Sequence, residues 1–222
     1  MAGVTSSYPA ALDSESNLTP PNNGDTLSVA DHWLAGNSGP IVAIETELGT
    51  DPAGSFTDVK SRLDSGLIEE MDQWGITSPF DRTGTSYQYL TSNWSRYTAT
   101  NFTKKGTGLT QSSGVFTFPS TGYYLIIYKM MIISQGGSLS YAGGGVEYTN
   151  NDSTYYQHSL HMADAVATSA YIDVTSPTVV KITDTANDKI KFMTLASTNT
   201  RYDSTTSVSF RTGFISIKLG GV

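Results

Sequence analysis

The sequence GVFTFPSTGYY at Gly114–Tyr124, followed by the apolar run Leu125–Ile133, decides the fold class of this chain. Phe116 and Phe118 alternate with polar residues, which is the period of a half-buried strand. Pro119 ends that strand, and the Ser-Thr-Gly that follows favours a turn. The run after the turn is rich in aromatic and β-branched residues, as buried strands are. The segment therefore predicts two consecutive strands of a mainly β protein.

Patterns of the same kind recur between residue 80 and the end of the chain. The candidate strands are Ser86–Leu90, Phe102–Thr103, Gly114–Phe118, Tyr123–Ser134, Gly145–Thr149, Tyr155–Met162, Ala170–Val174, Thr178–Asp184, Lys189–Leu195 and Val208–Lys218. Glycine-rich stretches such as Gly143–Gly145 are interpreted as turns between them. Many short strands separated by turn signals predict a β-sandwich.

Three motifs of this region resemble the globular head of the complement and tumour necrosis factor superfamily. Gly114–Tyr124 matches its G-x-F-x-F/C-P-x-x-G-x-Y segment. Asn187–Phe192 lies where the family has G-D-x-V-x-L, with Asn187 in place of the glycine, and Phe210–Ile217 is similar to its final F-x-G-F-L-I strand. Asparagine also tolerates a positive φ, so the turn is retained. The resemblance spans about Tyr87–Val222 and implies a jelly-roll sandwich.

The resemblance also implies a homotrimer, because such heads pack three jelly rolls around an axis lined by aromatic and aliphatic side chains. The 13 tyrosines of the chain are consistent with this, since aromatic residues are enriched at interfaces. The residues expected at the trimer axis are Tyr124, Ile126, Tyr128, Phe192 and Phe214, an assignment that depends on the parity of each strand.

The first third of the chain differs in charge and composition. Residues 1–80 hold 12 Asp and Glu against 2 Lys and Arg, whereas residues 81–222 hold 8 against 11. Residues 1–39 are rich in Ser, Thr, Pro, Asn and Gly and predict an extended arm without a core. Such an acidic region is either solvated or docks on a basic protein surface, and it would repel nucleic acid.

Residues 40–79 carry helical periodicity and predict a short helical hairpin that anchors the head. Ile41, Ile44 and Leu48 fall at helical spacing, and Ser55 with Asp58 resembles a capping box at a second helix. Helices this short must bury their apolar stripes against other protein. The residues expected to anchor the chain on its partner are Trp33, Ile41, Ile44, Leu48 and Leu63. Residues 80–222 then form the jelly-roll head.

The segment Ala43–Ser55, AIETELGTDPAGS, continued by Val59, Arg62 and Leu63, is similar to a segment of structural proteins of tailed bacteriophages. In those proteins it lies ahead of a variable β-rich region. The resemblance implies a virion structural protein.

Composition and motifs exclude several classes of function. Without cysteine the chain has no disulfide, thiolate metal site or cysteine nucleophile. No signal peptide is expected, because the N-terminus has no basic region followed by an apolar core. No membrane span is expected, because the longest apolar run, Tyr123–Ile133, is too short. Gly36–Pro40 only superficially resembles a serine-protease turn, and nucleotide-binding fingerprints are absent. With scattered basic residues, nucleic-acid binding is not expected. The expectation is a protein with no catalytic residue, cofactor or metal.

Two groups of residues leave a metal site open as an alternative. His158 and His161, with Asp164, are three residues apart, which places the two rings on opposite faces of a regular strand and favours solvated or interface histidines. Asp184 and Asp188 flank a turn that is either a calcium site, as in some related heads, or a plain turn.

The function expected is that of a trimeric capsid decoration or cement protein on the virion surface, bound to the major capsid protein or another virion protein. The alternative is a tail fibre or receptor-binding tip that grips a host surface glycan or protein, with Tyr141, Tyr148, Tyr155 and Tyr156 as candidates for sugar stacking. A host-derived soluble recognition head is a third interpretation, disfavoured by the phage-like segment.

Overall fold

A computed structural model describes residues 59, 68–98, 102, 104–135, 137–167, 170–206 and 209–222. The compact unit that holds the β structure spans residues 67–222. Its strands are β1 Met71–Ile76, β2 Phe80–Arg82, β3 Gln88–Tyr89, β4 Trp94–Arg96, β5 Thr110–Ser112, β6 Val115–Thr117, β7 Gly122–Ser134, β8 Leu139–Thr149, β9 Tyr156–Val166, β10 Tyr171–Ile182, β11 Lys189–Ala196, β12 Thr200–Tyr202 and β13 Gly213–Gly220. The protein is mainly β, as predicted.

The strands form two sheets in which the ladders are antiparallel. Sheet A has the order β2-β12-β7-β13-β1-β4. β12 and β13 pair with one side of β7, and β10 pairs with its other side. Sheet B has the order β5-β6-β11-β8-β9, and β3 pairs with β11. Sheet A thus ends at β10 and sheet B at β9, two strands that follow one another in the chain.

The core lies between the two sheets and is centred on aromatic rings. Trp94, Phe116, Phe192 and Phe214 meet with centroids 4.5–5.7 Å apart, mostly edge to face. This geometry suits the quadrupoles of the rings and adds to the stabilisation from apolar burial. The rings come from β4, β6, β11 and β13, so the core connects distant parts of the sequence.

The decisive segment folds as the pattern predicts. Phe116 lies at the centre of β6 and is fully buried, and the apolar run forms β7 with alternating burial along its length. β5 and β6 are joined by Ser113 and Gly114, which both have positive φ. Two central residues of that kind form the hairpin turn whose twist matches the flanking strands.

The glycine stretch Gly143–Gly145 is a correction to the predicted turns, because it lies in the middle of β8. A Cβ on Gly143 or Gly145 would collide with a backbone oxygen of β9, that of His161 or of Ser159. The glycines therefore permit close approach of two strands. Glycine inside a strand signals this as well as a turn.

The two strands expected on either side of Pro177 are also one element, β10. Proline has no N–H to donate and is tolerated where a strand forms the edge of a sheet. β10 pairs with β7 on one side only.

The β domain begins earlier than the predicted boundary at residue 80. Residues 71–76, which the sequence assigned to the helical region, form β1 between β13 and β4. Trp74 packs its ring on Phe116 at 5.4 Å. Within residues 40–79, the region predicted to be helical, Val59 is in helical conformation. The remainder of residues 1–66, with the anchoring residues Trp33, Ile41, Ile44, Leu48 and Leu63, lies outside the described residues.

The residues expected at a trimer axis lie instead in the core. Tyr124, Ile126, Tyr128, Phe192 and Phe214 each have 0% exposure in the single chain. A side chain that is fully enclosed by its own subunit has no surface for a neighbour. The parity assigned to the strands was therefore wrong by one residue, and the alternate positions face outward.

Candidate oligomer interface

The outward face of sheet A carries apolar side chains on adjacent strands. The register aligns Met71 of β1, Ile217 of β13, Leu125 of β7 and Val179 of β10 in one row across the sheet. The next row contains Gln73, Ile215, Ile127 and Pro177. Residues paired across a ladder point to the same side, so these rows form a continuous surface. We call it the apolar face; with these rows it includes Tyr123, Met131, Ile133 and Tyr171.

The burial of this face is unlike that of a solvated sheet surface. An antiparallel sheet with one face in water shows alternating apolar and polar residues along its strands. β7 instead places Leu125, Ile127, Met131 and Ile133 on its outward side, each half-buried, with Lys129 in the middle. Val179 is 45% exposed. Among the strands that the structure describes, none packs on this surface.

Charged groups on the apolar face lie mainly along β10. Lys129 of β7 approaches Asp173 of β10 at 3.9 Å between Nζ and Oδ1, and Lys181 lies 5.8 Å from the ring centroid of Tyr123. These contacts place opposite charge or π density beside each cation. The centre of the face, around Leu125 and Ile127, stays apolar.

Sequence reasoning missed this face although one residue signals it. Lys129 interrupts the apolar run, and a lysine is almost never fully buried without a partner. Taking Lys129 as outward assigns Leu125, Ile127, Met131 and Ile133 to the same side, as the structure has them. The even-numbered Tyr124, Ile126 and Tyr128 then fall in the core.

The adjoining edge of the sandwich brings β9 beside β10 without a ladder between them. His158 Nε2 lies 2.9 Å from the carbonyl oxygen of Val179, and His161 Nδ1 lies 2.9 Å from that of Thr175. The hydroxyl of Ser176 donates to Ser159 Oγ at 2.9 Å. Side chains thus satisfy carbonyl groups that an edge strand would otherwise leave to water.

The two histidines point to the same side, contrary to the prediction from their spacing. The register shifts between Val146 and Glu147 of β8, where β9 contains one extra residue, a β-bulge. The extra residue lets two β9 side chains three positions apart point to the same side. Both rings contact β10 carbonyls, which agrees with the interpretation as interface or solvated residues. Within the described part of the chain, no group of three His, Asp or Glu is arranged to hold a metal ion.

Asp188 is the acceptor at the centre of the turn before β11. It is 1% exposed and accepts hydrogen bonds from the backbone N–H groups of Thr183 and Asp184 and from the Tyr148 hydroxyl. Burial by itself raises the pKa of Asp188, but these donors outweigh it and the pKa is lowered. The nearby Asp184 accepts from the backbone N–H of Ala186. The two carboxylates therefore stabilise a turn by hydrogen bonding.

The tyrosines expected to stack on sugars occupy different environments. Tyr148 is tied to Asp188, and its pKa is raised to about 12 by burial and by that hydrogen bond. Tyr141 and Tyr155 are half-buried, whereas Tyr156 is 63% exposed. They do not form one cluster, and Tyr155 alone joins a set of tyrosines on sheet B that is described below.

A small open pocket of about 180 Å³ lies beside β1 and β4. It is lined by Gly75, Thr77, Ser95, Arg96, Tyr97, Thr98, Thr205 and Thr206. Arg96 is already engaged, since it forms a two-contact ion pair with Asp72 at 2.8 and 3.0 Å.

No helix among the described residues has the length and apolar character needed to cross a bilayer.

No protein-family model and no curated protein sequence matches this chain. Among solved structures, Eiger TNF from S. frugiperda superimposes with a TM-score of 0.51 and 10% identity, over 69% of this chain and 95% of that chain. A murine APRIL crystal structure superimposes with a TM-score of 0.45 and 13% identity, over 68% and 99%. The PRD1 vertex protein P5 does so with a TM-score of 0.41 and 13% identity, over 69% and 99%. At 10% identity the likeness to Eiger TNF concerns the fold alone: the β domain is a jelly-roll sandwich of the TNF type, as the sequence motifs predicted.

Proposed function

We propose that this protein is a non-enzymatic, homotrimeric structural protein whose heads associate through the apolar face. The observation that carries the proposal is the row of aliphatic side chains across four strands of sheet A, from Met71 to Val179, with no described strand packed on it. Large exposed apolar surfaces of soluble proteins usually mark interaction sites. Burying this face in an assembly removes it from water and stabilises the assembly.

A trimer requires two different surfaces on each subunit, because a closed ring is built from heterologous contacts. The β9–β10 edge offers the second surface. It carries Tyr156, which is 63% exposed, beside the two histidines. Tyrosine is favoured at interfaces because it combines a large apolar ring with a polar tip. The proposed ring therefore packs the β9–β10 edge of one subunit against the apolar face of the next.

The location proposed for this trimer is the surface of a tailed-phage virion, as a capsid decoration or cement protein. Support comes from the sequence AIETELGTDPAGS at residues 43–55, which resembles phage structural proteins, and from the acidic first third of the chain. Three tethered acidic segments on one trimer raise one another's effective concentration at a basic partner such as a capsid subunit. The head then projects as a knob.

Deletion of residues 1–39 tests the decoration role. We expect the shortened protein to remain a trimer and to lose binding to particles from its source, whereas the full chain binds. Retained binding at full-length strength would contradict the role. Electron cryomicroscopy of the particles gives the location directly: knobs over the capsid lattice support decoration, and copies confined to the tail contradict it.

The second candidate, a tail fibre or receptor-binding tip, is favoured by one observation, a group of tyrosines on the outward face of sheet B. Tyr87 is 48% exposed there. The test is binding of the full chain to host cells. A fragment that begins at residue 80 is unsuitable, since it lacks β1 and removes Trp74 from the core.

A further inference from the structure

The outward face of sheet B, on the opposite side of the sandwich from the apolar face, carries a group of tyrosines around one ion pair. We call this group the tyrosine platform; it consists of Tyr87, Tyr89, Glu147, Tyr155, Gln157 and Lys191. Its members come from β3, β8, β9, β11 and the segments that precede β3 and β9. The sheet therefore assembles residues that are up to 104 positions apart, from Tyr87 to Lys191.

Contacts within the platform fix the position of its polar groups. The Tyr89 hydroxyl donates to Glu147 Oε1 at 2.9 Å, and Lys191 Nζ lies 3.1 Å from Glu147 Oε2. The same Nζ lies 4.0 Å from the ring centroid of Tyr89 and 4.1 Å from that of Tyr155. A cation held between two rings and a carboxylate has little freedom. The platform is thus preorganised before any ligand arrives.

Glycines precede Glu147 at the outward positions of β8. Glu147 faces outward on β8, and with the period of two the outward positions that precede it are Gly145 and Gly143. β8 therefore carries no side chain at these two positions. The Tyr87 hydroxyl, from the segment before β3, lies 3.4 Å from Gln157 Oε1 on β9, at the far side of β8. The side chain of Tyr87 therefore reaches across β8 on the outward face of sheet B and contacts β9.

The charge of the platform is internally balanced. Glu147 and Lys191 neutralise each other, with side chains only 11% and 21% exposed. Burial first and the Glu147 hydrogen bond second raise the pKa of Tyr89 to about 12, and burial raises the pKa of Tyr155, so both hydroxyls remain protonated at neutral pH. A surface without net charge offers no attraction to nucleic acid or to strongly acidic or basic partners.

We propose that the tyrosine platform binds a neutral carbohydrate. The exposed ring of Tyr87 presents an apolar surface on which the C–H face of a sugar ring packs. Gln157 supplies both a donor and an acceptor, and the Glu147 carboxylate keeps lone pairs beyond those used by Tyr89 and Lys191. Rigid apolar rings with a few fixed polar groups are what a site for a neutral, hydroxyl-rich ligand requires. The binding requires the folded head and does not depend on the virion role.

The test uses the full chain on an array of neutral hexose and N-acetylhexosamine oligosaccharides, with sialylated and sulfated glycans printed beside them. We expect binding to a subset of the neutral glycans. Titration of the bound glycan in solution is expected to show at least a ~10-fold loss of affinity for Tyr87→Ala, equivalent to about 1.4 kcal/mol. The matched control is Thr110→Ala, which shortens an exposed side chain on β5, outside the platform and the apolar face, and should bind as the wild type does.

Thermal unfolding of Tyr87→Ala, whose ring is nearly half exposed, separates loss of binding from loss of folding. A second variant, Gln157→Ala, should weaken binding without altering the mass of the assembly. Binding to charged glycans alone, to protein partners alone or to no glycan would overturn the proposal, as would undiminished binding by Tyr87→Ala. Sedimentation of the same samples reports the trimer independently, so failure of sugar binding and failure of the proposed assembly are distinguishable.

Discussion

At the residue scale, two aspartates each form a two-contact ion pair with an arginine, but they differ in burial. Asp72 bonds Arg96 through two contacts and also accepts from the Trp74 indole N–H at 2.9 Å and from the Leu109 N–H at 2.8 Å. Its side chain is 1% exposed. Asp81 bonds Arg201 at 2.7 and 2.9 Å, but the two side chains are 52% and 39% exposed.

This contrast predicts unequal effects of removing each carboxylate. We expect Asp72→Ala to lower the free energy of unfolding by about 3 kcal/mol, because it leaves an arginine and three buried N–H donors, those of Gln73, Trp74 and Leu109, without their acceptor. We expect Asp81→Ala to cost less than about 1 kcal/mol, because water screens the exposed pair. Denaturant titration of both variants measures the difference. Equal losses would show that the burial of Asp72 has no energetic consequence.

Asp188 gives a prediction on pH. Its pKa is lowered in the folded protein, so it contributes stability that is complete above the unfolded-state pKa of about 3.9 and is lost as the pH falls through the lower folded-state value. We expect Asp188→Asn to be less stable than the wild type by about 1–3 kcal/mol at neutral pH, since hydrogen bonds to a buried charge are weakened.

The stability difference between Asp188→Asn and the wild type should shrink as the pH falls below 4, where the wild-type carboxyl also becomes neutral. Unfolding measured from neutral to acid pH tests this. The exposed Asp184, substituted by Asn, serves as the control and should show a smaller difference. A difference that stays constant into acid would contradict the assignment.

Two features of individual residues were not predicted correctly from the sequence: the core-facing side of β7 and the common orientation of the two histidines. The sequence predicts the alternation of β7. Which side of β7 faces the core follows from Lys129, and the register of the strand pairs shows that this lysine points outward. The histidine pair was placed on opposite faces because a bulge leaves no local signature in the letters Gln157–Ser159. Bulges arise from pairing with a distant strand, which a period of two does not report.

At the scale of elements, β8 depends on glycines that the sequence pattern assigns to a turn. Gly145 approaches β9 so closely that a methyl group would meet the Ser159 carbonyl. We expect Gly145→Ala to destabilise the protein by about 2 kcal/mol or more, the effect of overpacking a tight site. Gly220→Ala, at a position with open space around the Cβ, is the matched control and should change stability little. Thermal unfolding of both variants tests this, and a neutral Gly145→Ala would contradict the close approach.

Elements were predictable where their own pattern was strong. β7 and β11 match strands expected from aromatic and β-branched runs, and β9 continues four residues beyond the strand expected at Tyr155–Met162. β8 and β10 were divided or shortened because Gly143–Gly145 and Pro177 are local breakers. Pairing along a long neighbouring strand overrode these propensities, as tertiary context does for strands in general.

At the scale of the whole molecule, sequence motifs identified the jelly roll but not its boundary. β1, with Met71 and Trp74, lies inside the region 40–79 that was predicted to be helical, because apolar residues at this spacing fit both the helical and the strand period over a short window. Pairing of β1 with β13, some 140 residues later, decides its structure, and no local pattern reports such a partner. For the same reason the apolar face, made of four strands, became visible only in the folded domain.

The central claim is that the apolar face joins three copies of the chain, and the sedimentation mass tests it most directly. We expect the wild-type protein, and the control Thr110→Asp on the exposed strand β5, to sediment at three times the chain mass of 23.8 kDa. Ile127→Asp, with a charge at the centre of the face, should sediment at 23.8 kDa with an unchanged β-sheet circular dichroism spectrum. A wild-type protein at the mass of one chain, or an Ile127→Asp variant that remains trimeric, would contradict the claim.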